Sequence, residues 1–296
     1  MAEMSTAWSL FVIVGTLGTL AWVLWLLFSN RAKSAPTIET TGHDFDGIQE
    51  YDNPLPLWWV GLFAATVVFA IGYLVYYPGL GAFSGVGHWS SQAQWQAAVD
   101  ANAAQFAPLY AKLGAMSEEE LHRDHQAQQI GRRLFLANCA GCHGTSARGA
   151  VGFPNLTDDE WQWGSDFDAV KTTIKGGRNA AMASWEAVLG GDAGVADMVQ
   201  YVRSLSGASH DEAAASRAAS QFQMFCAVCH GPDGKGNPLF GAPNLTNEIW
   251  LYGGDAETIA LTLKHGRTGQ MPSFATILGD ERIQIVAAYV TGLRAQ

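Results

Sequence analysis

All four cysteines of this 296-residue chain fall in one pentapeptide pattern that occurs twice. The pattern reads Cys-Ala-Gly-Cys-His over residues 139–143 and Cys-Ala-Val-Cys-His over residues 226–230. Two cysteines three positions apart lie on the same side of a helical turn. This spacing, with a histidine directly after it, is typical of the covalent attachment of haem c. Because both copies are complete and no cysteine is left over, the pattern favours two haem sites over a zinc or thiol-redox pair.

Each motif predicts a role for its residues. The thiols that would bond the haem vinyl groups are Cys139, Cys142, Cys226 and Cys229, and the proximal iron ligands are His143 and His230. Haem c is attached on the outer face of the bacterial inner membrane, so both motifs must be exported. With every cysteine assigned, no structural disulfide is expected, and core packing and the bound haems must provide the stability.

A six-coordinate electron carrier needs a second axial ligand on each iron. Met182 and Met271 follow the two proximal histidines by 39 and 41 residues, which suits a loop returning over the other haem face. We predict both as distal ligands, because a thioether stabilises Fe(II). The alternative role, a flexible core filler, fits Met198 and Met224 better. Pairing of each methionine with the haem of its own repeat is the default expectation, and exchange between the copies is the alternative.

The two motifs belong to a longer internal repeat of about 85 residues. Aligning the cysteines also aligns an aromatic residue before each motif and several segments after it. The matched positions are Phe135 with Phe222, 154–157 with 243–246, Trp161 with Trp250, 177–178 with 266–267, and Tyr201 with Tyr289. The repeat predicts two domains, 129–208 and 212–296. Arg178 and Arg267 could pair with haem propionates, and solvated surface positions would explain them equally well.

Two uncharged runs precede the repeat and predict membrane-spanning helices over 7–28 and 57–77. As a helix, the first run would be about 33 Å long, enough to cross a bilayer core. A cleaved signal peptide is the competing interpretation, but the first run lacks a basic segment before it. Arg31 and Lys33 follow the first run, so the loop 29–56 is predicted to be cytoplasmic and both termini periplasmic. Residues 1–80 thus form a predicted membrane hairpin in the lipid bilayer.

Between the hairpin and the repeat, residues 81–128 are predicted to be a periplasmic connector. Glycines interrupt its beginning, and the Ser-Glu-Glu-Glu segment from Ser117 is a capping-box pattern that predicts a short helix. The formal net charge is −10, and the two repeats are nearly balanced in charge. Nothing in this distribution supports nucleic-acid binding.

Each repeat resembles the class I cytochrome c family. The resemblance implies a small helical bundle in which the N-terminal helix of the domain crosses its C-terminal helix. Gly131 and Phe135 match the crossing positions of the first helix, which places them against Tyr201. The expected fold is therefore all-α, with a two-helix transmembrane hairpin followed by two tandem class I cytochrome c domains.

The segment 41–59, which contains Asp-Asn-Pro-Leu-Pro at 52–56, resembles the signature of the dihaem subunit of cbb3-type cytochrome c oxidases, subunit III. The resemblance implies a non-catalytic, electron-carrying subunit of a haem-copper oxidase in the bacterial inner membrane. Its two covalent haem c groups would relay electrons from a donor cytochrome c towards a monohaem cytochrome c subunit and the catalytic haem-copper subunit. The first apolar run departs from the many members that have one span.

Two other functions remain open from the sequence. A dihaem cytochrome subunit of a periplasmic dehydrogenase complex would also carry repeated attachment motifs. A peroxidase-type haem enzyme would need one iron with an open sixth position, and two well-placed methionines argue against it.

Overall fold

The computed structural model describes residues 4–30, 40–53 and 55–295. The described chain is mostly helical and forms two compact units, Met1–Gln105 and Phe106–Gln296. The predominance of helix agrees with the expected class. Two small antiparallel sheets, one in each unit, are present that the all-α prediction did not include.

The first unit contains two long apolar helices, α1 (Thr6–Ser29) and α2 (Leu57–Tyr76). By length and composition both could cross a membrane. Most of their side chains are exposed, and the buried residues of the two helices are Ser9, Leu27, Val60 and Val67. Exposed apolar side chains all round a helix suit a lipid surrounding better than the core of a soluble domain.

Hydrogen bonds join α1 to α2 at both ends. The buried Ser9 hydroxyl accepts from the backbone N–H of Ala82 at 2.9 Å, in the loop after α2. At the other end, the N–H of Leu55 donates to the carbonyl of Asn30 at 3.3 Å. These bonds place the start of α1 beside the loop after α2, and the end of α1 beside the segment before α2. Arg31 and Lys33, on which the predicted orientation depends, lie outside the described residues.

The loop between these helices contains a β-hairpin of β1 (Thr40–Phe45) and β2 (Ile48–Tyr51). Asp46 and Gly47 form its two-residue turn, and both have positive φ, at 55° and 87°. This is the conformation of a type I′ turn, which an Asp-Gly pair favours. The Asp44 carboxylate accepts from the Gly47 N–H at 2.7 Å and closes the turn.

The second unit begins within α3 (Ser91–Gly114) and contains both repeats. Its helices are α4 (Glu118–Arg123), α5 (His125–Asn138), α6 (Ala140–His143), α7 (Phe167–Gly176), α8 (Glu186–Leu189), α9 (Asp192–Leu205), α10 (Glu212–Gln221), α11 (Ala227–His230), α12 (Ala256–His265) and α13 (Ala275–Gly292). A π-helical turn, Phe222–Cys226, joins α10 to α11. Strands β3 (Arg178–Met182) and β4 (Arg267–Met271) pair antiparallel.

The two repeats exchange their C-terminal halves. Helix α13 of the second repeat packs against α5 and α7 of the first, and α9 of the first repeat packs against α10 and α12 of the second. One buried core accordingly combines Phe135, Val170 and Ile174 with Leu278 and Val286. The other combines residues of α9 with Phe222, Ile259 and Leu263. Each bundle therefore contains half of each repeat.

This exchange corrects one predicted contact. Phe135 does not pack on Tyr201. Its ring lies 5.7 Å from that of Tyr289, while Tyr201 lies 4.9 Å from Phe222. At the same crossing, a Cβ on Gly131 would meet the Cβ of Tyr289 at 2.6 Å, so only glycine allows this approach. The expected helix crossing is thus present, but between repeats.

A third core cluster covers the first bundle. Leu113 and Leu121 are fully buried there, with Ile130 of α5 and Ile285 of α13. The predicted helix at Ser117 is confirmed as α4, since Ser117 and Glu120 make both hydrogen bonds of a capping box. The C-terminal part of the predicted connector therefore packs against the bundle that contains the first attachment motif.

Candidate functional site

Each Cys-x-x-Cys-His motif forms a short helix at the end of a longer one. Helix α6 follows α5 directly, and α11 follows the π-helical turn after α10. The first cysteine of each motif faces inward: Cys226 is buried and Cys139 half-buried, whereas Cys142 and Cys229 are exposed. Burial raises the pKa of the Cys139 and Cys226 thiols to about 11, with a smaller contribution from the neighbouring cysteine. Both are therefore neutral thiols at neutral pH.

Both histidines are oriented by a proline carbonyl. The Nδ1 of His143 donates to the carbonyl oxygen of Pro154 at 2.9 Å, and the Nδ1 of His230 donates to that of Pro243 at 3.1 Å. Donation from Nδ1 leaves Nε2 as the nitrogen with a free lone pair, which is the form that ligates a metal. Burial lowers the pKa of His230, against the opposing effect of this hydrogen bond, and favours its neutral form.

The repeated Pro-Asn-Leu-Thr segment holds that carbonyl in place. The Asn155 side chain accepts from the N–H and the hydroxyl of Thr157, at 2.9 and 2.7 Å. Asn244 and Thr246 make the same pair of bonds, at 2.9 and 2.8 Å. This asparagine-centred turn fixes the preceding proline, and so explains why the segment occurs after both motifs.

The distal methionines lie in the bundle of the opposite motif. Met271 packs into the core that contains Cys139, and Met182 packs into the core that contains Cys226. In the described residues, each predicted distal methionine therefore lies beside the attachment motif of the other repeat.

The crossover between bundles is the β3–β4 pair. Its register places Arg178 opposite Met271 and Met182 opposite Arg267, with Ala180 opposite Gly269 at the centre. These positions are equivalent in the repeat, so a local two-fold axis passes through the centre of the ladder. Each strand carries its methionine from the side of its own motif to the side of the other.

One cavity of about 910 Å³ connects the two motifs. All four cysteines, both proximal histidines and both methionines line it, and most of its other walls are apolar, including Phe135, Phe222 and Trp250. Thiols, an imidazole and a thioether around an apolar space are the donors and surroundings that a haem c requires. The residues present thus fit two such groups.

Arg178 and Arg267 are held in equivalent positions on the cavity wall. The Nε of Arg178 donates to the Thr173 hydroxyl, and that of Arg267 to the Thr262 hydroxyl, both at 2.9 Å. The guanidinium of Arg178 lies 4.8 Å from the Trp163 ring centre, and that of Arg267 lies 4.3 Å from the Tyr252 ring centre.

Trp163 and Tyr252 are wall residues that the sequence analysis missed. They occupy equivalent positions in the two repeats, two residues after the matched Trp161 and Trp250. Extending the repeat alignment to positions where one aromatic residue replaces another would have found them.

Comparison with known families and proteins gives consistent matches. The family model described as the N-terminal domain of cytochrome oxidase-cbb3, FixP, matches residues 37–84. The model described as cytochrome c oxidase, cbb3-type, subunit III, matches residues 126–202 and 213–290, once over each repeat.

Similar full-length proteins carry matching descriptions. The chain is 45% identical over 291 residues to the cbb3-type cytochrome c oxidase subunit CcoP of Rubrivivax gelatinosus, which covers 98% of this chain and 95% of that protein. Identity to the subunit CcoP of Cereibacter sphaeroides is 41%, over 86% of this chain and 94% of the relative. Identity to the subunit FixP of Azorhizobium caulinodans is 40%, over 85% and 91%.

Proposed function

Since this chain belongs to the family of cbb3-type cytochrome c oxidase subunit III, we propose that it is the membrane-anchored dihaem subunit through which electrons enter the oxidase. The observation that carries the proposal is the single cavity lined by two complete donor sets. Each set has two thiols and a histidine from one repeat and a methionine from the other.

The proposed site residues have distinct tasks. When bound, each haem c supplies an iron that changes between Fe(III) and Fe(II) by one electron. Cys139 and Cys142 would hold one haem covalently, and Cys226 and Cys229 would hold the other. The Pro154 and Pro243 carbonyls keep His143 and His230 in the tautomer that would ligate iron. Met271 and Met182 would each provide a thioether ligand that favours the reduced state and keeps outside ligands from the iron.

The protein around the cavity suits rapid electron exchange. Buried apolar packing around both sites restricts water and limits the rearrangement of charge when an iron changes its oxidation state. Because one cavity connects the two donor sets, an electron can pass between them without leaving the protein. This arrangement supports a relay and gives no role to a substrate-binding residue of the chain.

The direction and partners of the relay come from the resemblance. We place a soluble or membrane-attached donor cytochrome c before this subunit and a monohaem subunit and the catalytic haem-copper subunit after it. The chain itself is then non-catalytic. The matches to the oxidase family favour this assignment over a dehydrogenase cytochrome subunit.

The membrane arrangement is also part of the proposal. The hydrogen bonds at the two ends of α1 support a two-span hairpin. Arg31 and Lys33 after the first apolar run favour a cytoplasmic loop, and the haem domains are then in the periplasm. Alkaline phosphatase fused after about residue 85 should then be active, and a fusion near residue 45 inactive. The reverse pattern would contradict this orientation.

The electron-entry role can be tested in the assembled oxidase. A Cys226→Ser/Cys229→Ser double variant and a Cys139→Ser/Cys142→Ser double variant should each abolish oxidation of donor cytochrome c. Both should retain oxygen uptake when a small chemical reductant reduces the inner cofactors directly. Met224→Leu, at an exposed methionine, is the control and should leave both activities unchanged. Normal donor oxidation by either double variant would contradict the proposal.

A further inference from the structure

The residue before each crossover strand is a glycine in close contact with the loop of the other repeat. Gly177 has a φ of 71°, and a Cβ on it would lie under 3.0 Å from the main chain of Met271, Pro272 and Ser273. The left-handed φ disfavours any residue with a Cβ, and the lack of space means that a Cβ would force the backbone to shift.

Gly266 repeats this arrangement for the other methionine. Its φ is 72°, and a Cβ on it would overlap the main chain of Met182 and Ala183. In both cases the atom most strongly overlapped is the carbonyl oxygen of the distal methionine itself. The contact therefore fixes the backbone from which the thioether extends.

Hydrogen bonds also attach the residues that follow each methionine. The Ser273 hydroxyl donates to the Lys175 carbonyl at 2.6 Å, and the N–H of Phe274 donates to the Ile174 carbonyl at 3.1 Å. On the other side, the Ser184 hydroxyl donates to the Lys264 carbonyl, and the N–H of Trp185 donates to the Leu263 carbonyl at 2.8 Å. Each distal loop is thus attached to the end of the middle helix of the other repeat, whose last carbonyls would otherwise lack partners.

We infer that Gly177 and Gly266 are positioning residues for the distal methionines, each acting on the methionine that the other repeat contributes. Gly177 sets Met271 over the haem of the first motif, and Gly266 sets Met182 over the haem of the second. The inference rests on the proposed function, because it takes Met182 and Met271 to be iron ligands.

The experiment uses the full-length subunit in the purified oxidase. Gly177→Ala is compared with Gly176→Ala, a matched control one residue earlier, where a Cβ would meet nothing within 4 Å. The readout is the weak red charge-transfer band of methionine-ligated ferric haem. Among the haems of this subunit, a Met182→His background leaves only the band from Met271, and a Met271→His background leaves only the band from Met182, each measured as a difference from the oxidase with Met182→His/Met271→His.

In the Met182→His background, Gly177→Ala should remove the remaining band and lower the midpoint potential of the first haem. In the Met271→His background, the same substitution should leave the band intact. Gly176→Ala should change neither. Loss of the Met182 band instead, or retention of both bands, would overturn the inference.

Two further variants keep the test decisive if Gly177→Ala does not assemble. Gly266→Ala should remove the Met182 band in the Met271→His background. Ser273→Ala should weaken only the Met271 band, since it removes one attachment of that loop. If neither variant alters its band, the glycines do not position the ligands.

The ligand assignment is checked separately from the positioning role. Met182→His and Met271→His alone should each shift the midpoint of one haem. If they shift none, the proposed ligands are wrong. If they do and the glycine variants leave the bands intact, only the inference on Gly177 and Gly266 fails.

Discussion

The two proposed haem sites are formed by equivalent residues of the repeats, but the protein around them is not the same. The first bundle, around Cys139, is covered by a third core cluster that includes Leu113 and Leu121 from outside the repeat. In the described part of the chain, no such cluster covers the bundle around Cys226. The proximal histidine also differs, since His230 is buried and His143 half-buried.

The repeated residues and the rest of the chain therefore contribute differently to the two sites. Equivalent residues provide the thiols, the oriented histidines, the methionines and the anchored arginines of both centres. The non-repeated helices α3 and α4 contribute to one bundle only. We therefore expect matched ligation at the two irons, together with unequal stability and unequal potentials.

The largest expected effect concerns the exchange of ligands. Met271→His should strongly lower the midpoint of the haem on Cys139, because imidazole stabilises Fe(III) more than a thioether does. Met182→His should do the same to the haem on Cys226. A redox titration gives both midpoints, and Cys142→Ala identifies the first haem, because a single remaining vinyl group shifts its absorption band. Met224→Leu serves as control, and a shift of the haem in the same repeat would contradict the exchange.

The next effect concerns packing across the repeat boundary. Phe135→Ala should cost about 3–5 kcal/mol of unfolding free energy, as expected for a buried phenylalanine. A double-mutant cycle should give a coupling of about 0.5–1.5 kcal/mol between Phe135 and Tyr289. Between Phe135 and Tyr201 the coupling should be close to zero. Denaturant unfolding followed by haem absorbance measures these energies, and the opposite pattern of coupling would show that each repeat packs on itself.

Much of the candidate site could be predicted from local sequence. The attachment motifs, the repeat and the capping box at Ser117 all depend on residues close together in the chain. The β1–β2 hairpin was also within reach, because Asp46-Gly47 is a strong turn signal. The strands themselves carry no such signal, because every residue of β1 and β2 is exposed and no alternation of apolar and polar positions marks them.

The exchange could not be predicted in this way. Phe135 and Phe222 are the same residue type at equivalent positions, as are Tyr201 and Tyr289. Packing within a repeat and packing between repeats therefore bury the same kinds of side chain and use the same periodicity. The choice depends on the geometry of the crossover strands and on the Gly177 and Gly266 contacts, which join residues about a whole repeat apart.

A smaller effect tests the unequal surroundings. Leu121→Ala should destabilise the first bundle by about 2–5 kcal/mol, because Leu121 of the connector is fully buried in the cluster that covers that bundle. The second haem should keep its spectrum at denaturant concentrations where the first has lost its methionine ligand. Leu239→Ala, at a residue that is 86% exposed, is the control. Equal loss at both haems would show that the covering cluster stabilises both bundles alike.

The smallest effect concerns the arginines on the cavity wall. Arg178 lies opposite Met271 and bonds to α7, so it belongs to the first centre, and Arg267 belongs to the second. Removing a nearby positive charge stabilises Fe(III) relative to Fe(II). Arg178→Gln should therefore lower the midpoint potential of the first haem only, by the equivalent of about 1–2 kcal/mol.

Two comparisons decide what Arg178 does. Arg178→Lys keeps the charge and loses the planar fork, so a full return of the midpoint would assign the effect to charge, and a partial return to paired hydrogen bonds with a propionate. Arg133→Gln removes an exposed charge on α5 and should leave both midpoints in place. If Arg178→Gln moved neither midpoint, the arginine would serve packing on Trp163 alone.

Because Trp163 binds a cation more strongly than Tyr252 does, Arg178 should also tolerate the lysine substitution better than Arg267.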